Sequence, residues 1–189
     1  SGTFAGLPEG ARVAINGTDF FISYAGGDGN DVVLAEAQTD VRLSGGNLLI
    51  TDVNGGSSSD ALTMRVVLIS GVPTLEITDP ALVVNAGAGT TANGTNSVRV
   101  PLSSISGAIT IDTLAGDDVL TLDFAGGDVL EGGTLSFNGG ANGAAGDRLV
   151  LTGGATSSVT HTFSATTSST VALAGALSGT ISLSNVEPI

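Results

Sequence analysis

The chain has 189 residues, 29 of them glycine, no cysteine and no lysine, and 18 acidic side chains against five arginines give a formal net charge of −13. That length holds one domain, or one module and the tail of another, and disulfides are excluded. The acidity excludes nucleic acid and anionic membranes as partners, because phosphate binding needs a basic surface, and no run of 18 apolar residues predicts membrane insertion by a helix. The opening Ser1-Gly2-Thr3-Phe4 lacks a basic region followed by an apolar core, as expected of a fragment of a longer exported protein. Without lysine the segment forms no internal Lys–Asn or Lys–Asp isopeptide staple.

Helix signals are nearly absent, and Ala35-Glu36-Ala37 is too short to nucleate one. Strand signals recur along the chain as short Val, Ile, Leu, Thr and Phe clusters bounded by Gly, Asn, Asp or Ser. Phe20-Phe21-Ile22-Ser23-Tyr24 leads through a glycine loop to Asp31-Val32-Val33-Leu34. Leu48-Leu49-Ile50-Thr51-Asp52 leads through a Gly/Ser loop to Asp60-Ala61-Leu62-Thr63-Met64. Ile109-Thr110-Ile111-Asp112 leads to Asp118-Val119-Leu120-Thr121-Leu122. Leu135-Ser136-Phe137-Asn138 leads to Asp147-Arg148-Leu149-Val150-Leu151.

The anchoring aspartates at 31, 60, 118 and 147 are separated by 29, 58 and 29 residues. A skipped, degenerate copy is expected near Leu75 to Pro80, and Thr180 to Asn185 reads as one more first strand. A fixed spacing of this size in strand-rich sequence predicts stacked supersecondary units. The expected fold is therefore an all-β, right-handed parallel β-helix, with Ile22, Ile50, Ile111 and Phe137 in equivalent inward positions. The alternative is an antiparallel β-sandwich, which also uses many short strands. Two segments are expected: residues 1–37 as the end of a preceding β-repeat module, packed directly on a repeat module over 38–189.

Residues 4–34 contain Gly6-Leu7-Pro8-Glu9-Gly10-Ala11, Asn16-Gly17, Ile22-Ser23-Tyr24 and Gly26-Gly27-Asp28-Gly29-Asn30-Asp31 in order. This run resembles the closing segment of repeats in autotransporter-type passenger domains, the β-helical stalks of large exported bacterial proteins. From about Asp40 the chain resembles a second module of such proteins, through Leu114-Ala115-Gly116-Asp117-Asp118 to Val186-Glu187-Pro188-Ile189. The resemblance implies export, a secreted or cell-surface location in bacteria, and adjacent modules of the same chain as partners. It implies no catalytic residues.

Gly26 to Leu34 also matches the RTX-type nonapeptide, which holds calcium in a β-roll because its glycines turn carbonyls toward the ion and its Asp supplies a hard oxygen. Partial echoes recur at Ala115 to Leu120 and Gly146 to Leu149. The candidate calcium ligands are Asp28, Asn30, Asp31, Asp117, Asp118 and Asp147, against a simpler role in which these side chains cap corners by accepting backbone hydrogen bonds. Asp117 and Asp118, with Asp112 and Asp123 near, resemble a glycosidase pair only in composition, since neighbours on a strand point to opposite faces. His161 is the sole histidine and reads as a surface residue, with no Gly-x-Ser-x-Gly elbow to make it a base. Phe20, Phe21, Phe124 and Phe137 sit in apolar patterns that predict burial, which leaves Tyr24 as the candidate exposed platform. The expected function is a non-enzymatic structural or adhesive stalk. The alternative is a calcium-dependent carbohydrate-binding module with an extracellular glycan or protein as partner, and a polysaccharide-degrading enzyme is a distant third.

Overall fold

The computed structural model describes residues 2–9, 11–16, 18–26, 31–36, 38–53, 58–92 and 96–187. Strands β1 (Arg12–Ile15), β2 (Thr18–Gly26) and β3 (Asp31–Glu36) form a small antiparallel sheet. The rest is built on two large sheets. One has the order β16 (Arg148–Thr152), β13 (Val119–Asp123), β6 (Ala61–Ile69), β7 (Val72–Thr78), β10 (Ser97–Pro101), β9 (Thr91–Ala92). The other has the order β17 (Ser158–Ala165), β18 (Ser168–Ala174), β19 (Gly179–Ser184), β14 (Thr134–Asn138), β11 (Ile109–Asp112), β5 (Asn47–Asp52), β4 (Thr39–Ser44), β8 (Val84–Ala86). Two short strands, β12 (Ala115–Gly116) and β15 (Ala141–Asn142), pair at the corners between them.

Strand alternation sets what each sheet buries. Side chains two residues apart share a face, so Leu48 and Ile50, Ile109 and Ile111, and Leu135 and Phe137 turn inward while Thr110 and Ser136 face water. Leu62 and Met64 with Leu120 and Leu122 do the same from the six-stranded sheet. All belong to one apolar core between the sheets. Full burial of each such side chain contributes about 1.5–3 kcal/mol, so this layer is what holds the two sheets together.

This arrangement overturns the expected right-handed parallel β-helix: both large sheets are mixed, and they face each other as in a sandwich. Chain reversals are the cause. Gly45 and Gly46, with φ of 56° and 82°, join β4 to β5. Ser70 and Gly71, with φ of 51° and 80°, join β6 to β7. Two consecutive residues at positive φ make the tight turn whose twist matches an antiparallel hairpin, and glycine reaches that conformation without steric cost. A purely antiparallel sandwich does not describe the sheets either. Parallel ladders run β5–β11–β14–β19 and β6–β13–β16, and Ile50, Ile111, Phe137 and Leu183 are register neighbours across the first.

The 29-residue spacing is thus the offset between parallel neighbours, Val119 beside Arg148. The 58-residue gap holds no degenerate copy in line, because Leu75 to Thr78 run antiparallel between β6 and β10. Ile22, expected beside Ile50, lies instead in the small antiparallel sheet. A cleft separates that sheet from the larger body, with Arg12 and Phe21 on one side and Asp40 and Arg42 on the other.

Candidate functional site

The candidate calcium ligands divide three ways. Asp28 and Asn30 lie outside the described residues, and Asp31 is exposed at the head of β3, opposite Gly26. The other three gather at one corner of the two-sheet body, where each carboxylate accepts backbone N–H groups through its Oδ1 atom. Asp117 Oδ1 accepts from Ala145 N at 3.1 Å and Gly146 N at 2.7 Å. Asp118 Oδ1 accepts from Asp60 N at 2.8 Å, and Asp147 Oδ1 accepts from Asp118 N at 2.7 Å. Glu187 Oε2 in turn accepts from Asp147 N. Among the described residues no three His, Asp or Glu side chains converge as they would around a metal ion.

These bonds form a column, Asp60–Asp118–Asp147–Glu187, whose three aspartates stand one at each strand start of the parallel ladder β6–β13–β16 and whose last member, Glu187, follows β19. The alignment follows from register, since Asp60, Asp118 and Asp147 each precede the paired residues Ala61, Val119 and Arg148. Asp60, Asp118 and Asp147 are at most 1 % exposed, and in each the Oδ2 atom makes no hydrogen bond. Burial without a donor favours the neutral acid. Burial, reinforced by the charges of Asp52, Asp118 and Asp79, pushes the Asp60 carboxyl up to about 7. Burial, with the charges of Asp118, Glu187 and Asp117, pushes Asp147 up to about 6, and Asp118 is raised for the same first reason. Glu76 goes the other way. Burial would raise it, but hydrogen bonds from Arg65 and Arg99, at 2.6 and 2.8 Å, hold it below the usual range.

Asp117 and Asp118 diverge at the corner. Asp118 is fully buried, and Asp117 is half-buried and bonded to a different loop, so they do not face a common substrate.

An apolar concavity lies at the open end of the sandwich, between the edge strands β16 and β17. It encloses about 250 Å³. Leu149 and Leu151 come from β16, Val159, His161 and Phe163 from β17, and Val171 from β18, while Glu187 adds the carboxylate that ends the column. Among the described residues neither edge strand has a partner beyond it, so the core stays open there, and Phe163 remains 56 % exposed. His161 and Phe163 rings lie 4.1 Å apart at 38°, and His161 Nε2 meets Ser169 Oγ at 2.9 Å. That last distance suits a nucleophile and its base. However, no carboxylate is hydrogen-bonded to the other ring nitrogen among the described residues, and Ser169 sits inside β18 rather than on a turn.

Sequence reasoning missed this cleft. Tyr24, expected to be the exposed platform, is half-buried, its hydroxyl donating to Leu7 O and accepting from Phe4 N. Phe124 and Phe137 are buried and Phe20 and Phe21 half-buried, whereas Phe163, which like Phe4 is more than half exposed, escapes that reasoning. The available signal was the alternation Val159-Thr160-His161-Thr162-Phe163. It shows that three large side chains share a face, but not that the face lacks a cover. Comparison with protein-family models, curated proteins and solved structures finds no match to this chain, so the likeness to autotransporter-type proteins rests on the sequence motifs alone.

Proposed function

We propose that this chain is a non-catalytic carbohydrate-binding module of an exported bacterial surface protein, and that the cleft between β16 and β17 takes an uncharged sugar. The observation that carries the reading is Phe163, an exposed aromatic ring held over an apolar concavity whose other members are mostly Leu and Val. Aromatic rings offer a flat apolar face to the C–H side of a sugar, and a few polar groups such as His161, Ser169 and Glu187 fix its hydroxyls. A net charge of −13 disfavours an acidic ligand.

The two-sheet framework with a concave open end favours this reading over a passive stalk, which needs no cleft. Export and surface location rest on the resemblance of the first segment. Calcium dependence belongs to the same proposal and rests on the sequence match over Gly26 to Leu34, since the corner carboxylates already accept backbone N–H groups.

Neutral glycans on an array, read with calcium and again with chelator, test the proposal. Wild type is expected to bind, and Phe163→Ala to lose at least tenfold in affinity with its melting temperature unchanged. No signal on any neutral glycan, or full retention by Phe163→Ala, overturns the cleft assignment. Equal binding in chelator removes the calcium element only.

A further inference from the structure

Strand β17 is the outermost strand of its sheet, and every one of its residues is exposed. An edge this long is a template for pairing with another chain, and proteins usually blunt it with lysine, proline, an inward charge or a bulge. From Ser158 to Phe163 β17 carries none of these, and its pairing with β18 is regular over that stretch. Its surroundings are also electrically unusual. Residues 149–186 contain no Asp, Glu, Lys or Arg, in a chain whose net charge is −13. Along β17 itself two copies meet without opposing carboxylates, so repulsion between them is weaker there than over the acidic stretches of the chain.

The strand's sequence is moreover symmetric about its centre, Ser158-Val159-Thr160-His161-Thr162-Phe163-Ser164. An antiparallel strand pair across a two-fold axis sets each residue against the one equally far on the other side. With the axis at His161, Val159 meets the second copy's Phe163 and Thr160 meets its Thr162, and the bulge at Ser164 marks the end of the regular stretch. Those are an aromatic–β-branched pair and a hydroxyl–hydroxyl pair, the kinds that stabilise neighbouring strands.

We propose that a second copy of this chain pairs antiparallel with β17 about a two-fold axis through His161. The eight-stranded sheet then continues into its partner without a break. Directly opposed residues of two paired strands share a face, so both His161 and both Phe163 side chains lie on the cleft side. Two neighbouring clefts become one groove across the dimer. The pairing itself does not depend on what the cleft binds.

Light scattering after size exclusion, over a series from micromolar to hundreds of micromolar, reads the assembly directly. The expected mass rises from 18.4 kDa toward twice that value. Thr160 and Thr162 are exposed, and neither lines the cleft. T160K/T162K is therefore expected to be monomeric across the series with an unchanged melt, because it sets lysine against lysine. T160E/T162E is expected to be monomeric for the same reason with the opposite charge. An equimolar mixture of the two double variants is expected to recover the dimer mass. A wild type that stays at 18.4 kDa throughout, or a dimer that survives both double variants, overturns the proposal. Glycan binding by monomeric T160K/T162K separates this outcome from the fate of the ligand reading.

Discussion

The middle of the sandwich and its open end are made of the same parts and behave differently. In the middle, β11 has β5 on one side and β14 on the other, β13 has β6 and β16, and Ile111 and Leu122 are completely buried. At the end, β16 and β17 each have one neighbour, and Val159 and Phe163 are more than half exposed although they alternate as the core residues do. Inward orientation is thus a property of the strand, whereas burial is a property of what lies beyond the next strand. The same alternation that makes a core between two neighbours makes a binding surface where one neighbour is missing.

The widest separation between the two regions is expected from truncating one phenylalanine in each. Phe137→Ala removes a fully buried ring and should cost about 3–5 kcal/mol in denaturant unfolding, through lost transfer energy and a cavity. At concentrations where the chain is monomeric, Phe163→Ala should stay within about 0.5 kcal/mol of wild type by the same measurement, as exposed substitutions do. Equal losses at the two positions would mean that the open end is covered in solution.

A smaller effect is expected from pH, because the carboxylate column belongs to the closed part and ends at the cleft. Asp60 and Asp147 hold their protons more tightly in the fold than in the unfolded chain. Their contribution to stability is fully present below the ordinary carboxyl pKa of about 4 and is lost as pH rises through about 6 to 7. The chain should therefore melt at a higher temperature at mildly acid pH than in mild base. A tenfold change in proton affinity corresponds to about 1.4 kcal/mol, so the effect is on the order of a few kcal/mol. Asp60→Asn keeps an acceptor for Thr39 and carries no charge, so it should flatten this dependence and raise stability on the basic side. A melting temperature that instead falls on acidification would show that the column is ionised in the fold.

The mildest expected change tests how tightly the column is packed. A Cβ on Gly139 would collide with Asp147 Oδ2 and lie 2.7 Å from Asn185 O. Gly139→Ala should destabilise by about 1–3 kcal/mol through overpacking, with the pH dependence altered because the Asp147 carboxylate must move. An unchanged melt and an unchanged pH profile would indicate that this corner is loose.

Strand composition and inward alternation were legible in the sequence at particular residues. Leu48 and Ile50, Leu120 and Leu122, and Leu135 and Phe137 alternate with polar neighbours, and strand geometry alone decides that such residues share a face. The 29-residue spacing likewise located Asp118 and Asp147 as members of a common feature, because parallel neighbours in register repeat at a fixed offset. The sequence did not reveal how strands are ordered or in which sense they run. Gly45-Gly46 and Ser70-Gly71 look like any other glycine-rich corner until their φ values show hairpins, and those two reversals turn an expected parallel helix into two mixed sheets. It did not reveal that the aspartates bond to one another's backbone, because that contact joins residues 58 and 29 positions apart. Nor did it distinguish Phe163 from Phe137, since both sit on alternating strands. Only the tertiary structure decides that difference, by ending each sheet where it does and leaving one phenylalanine without a layer to cover it.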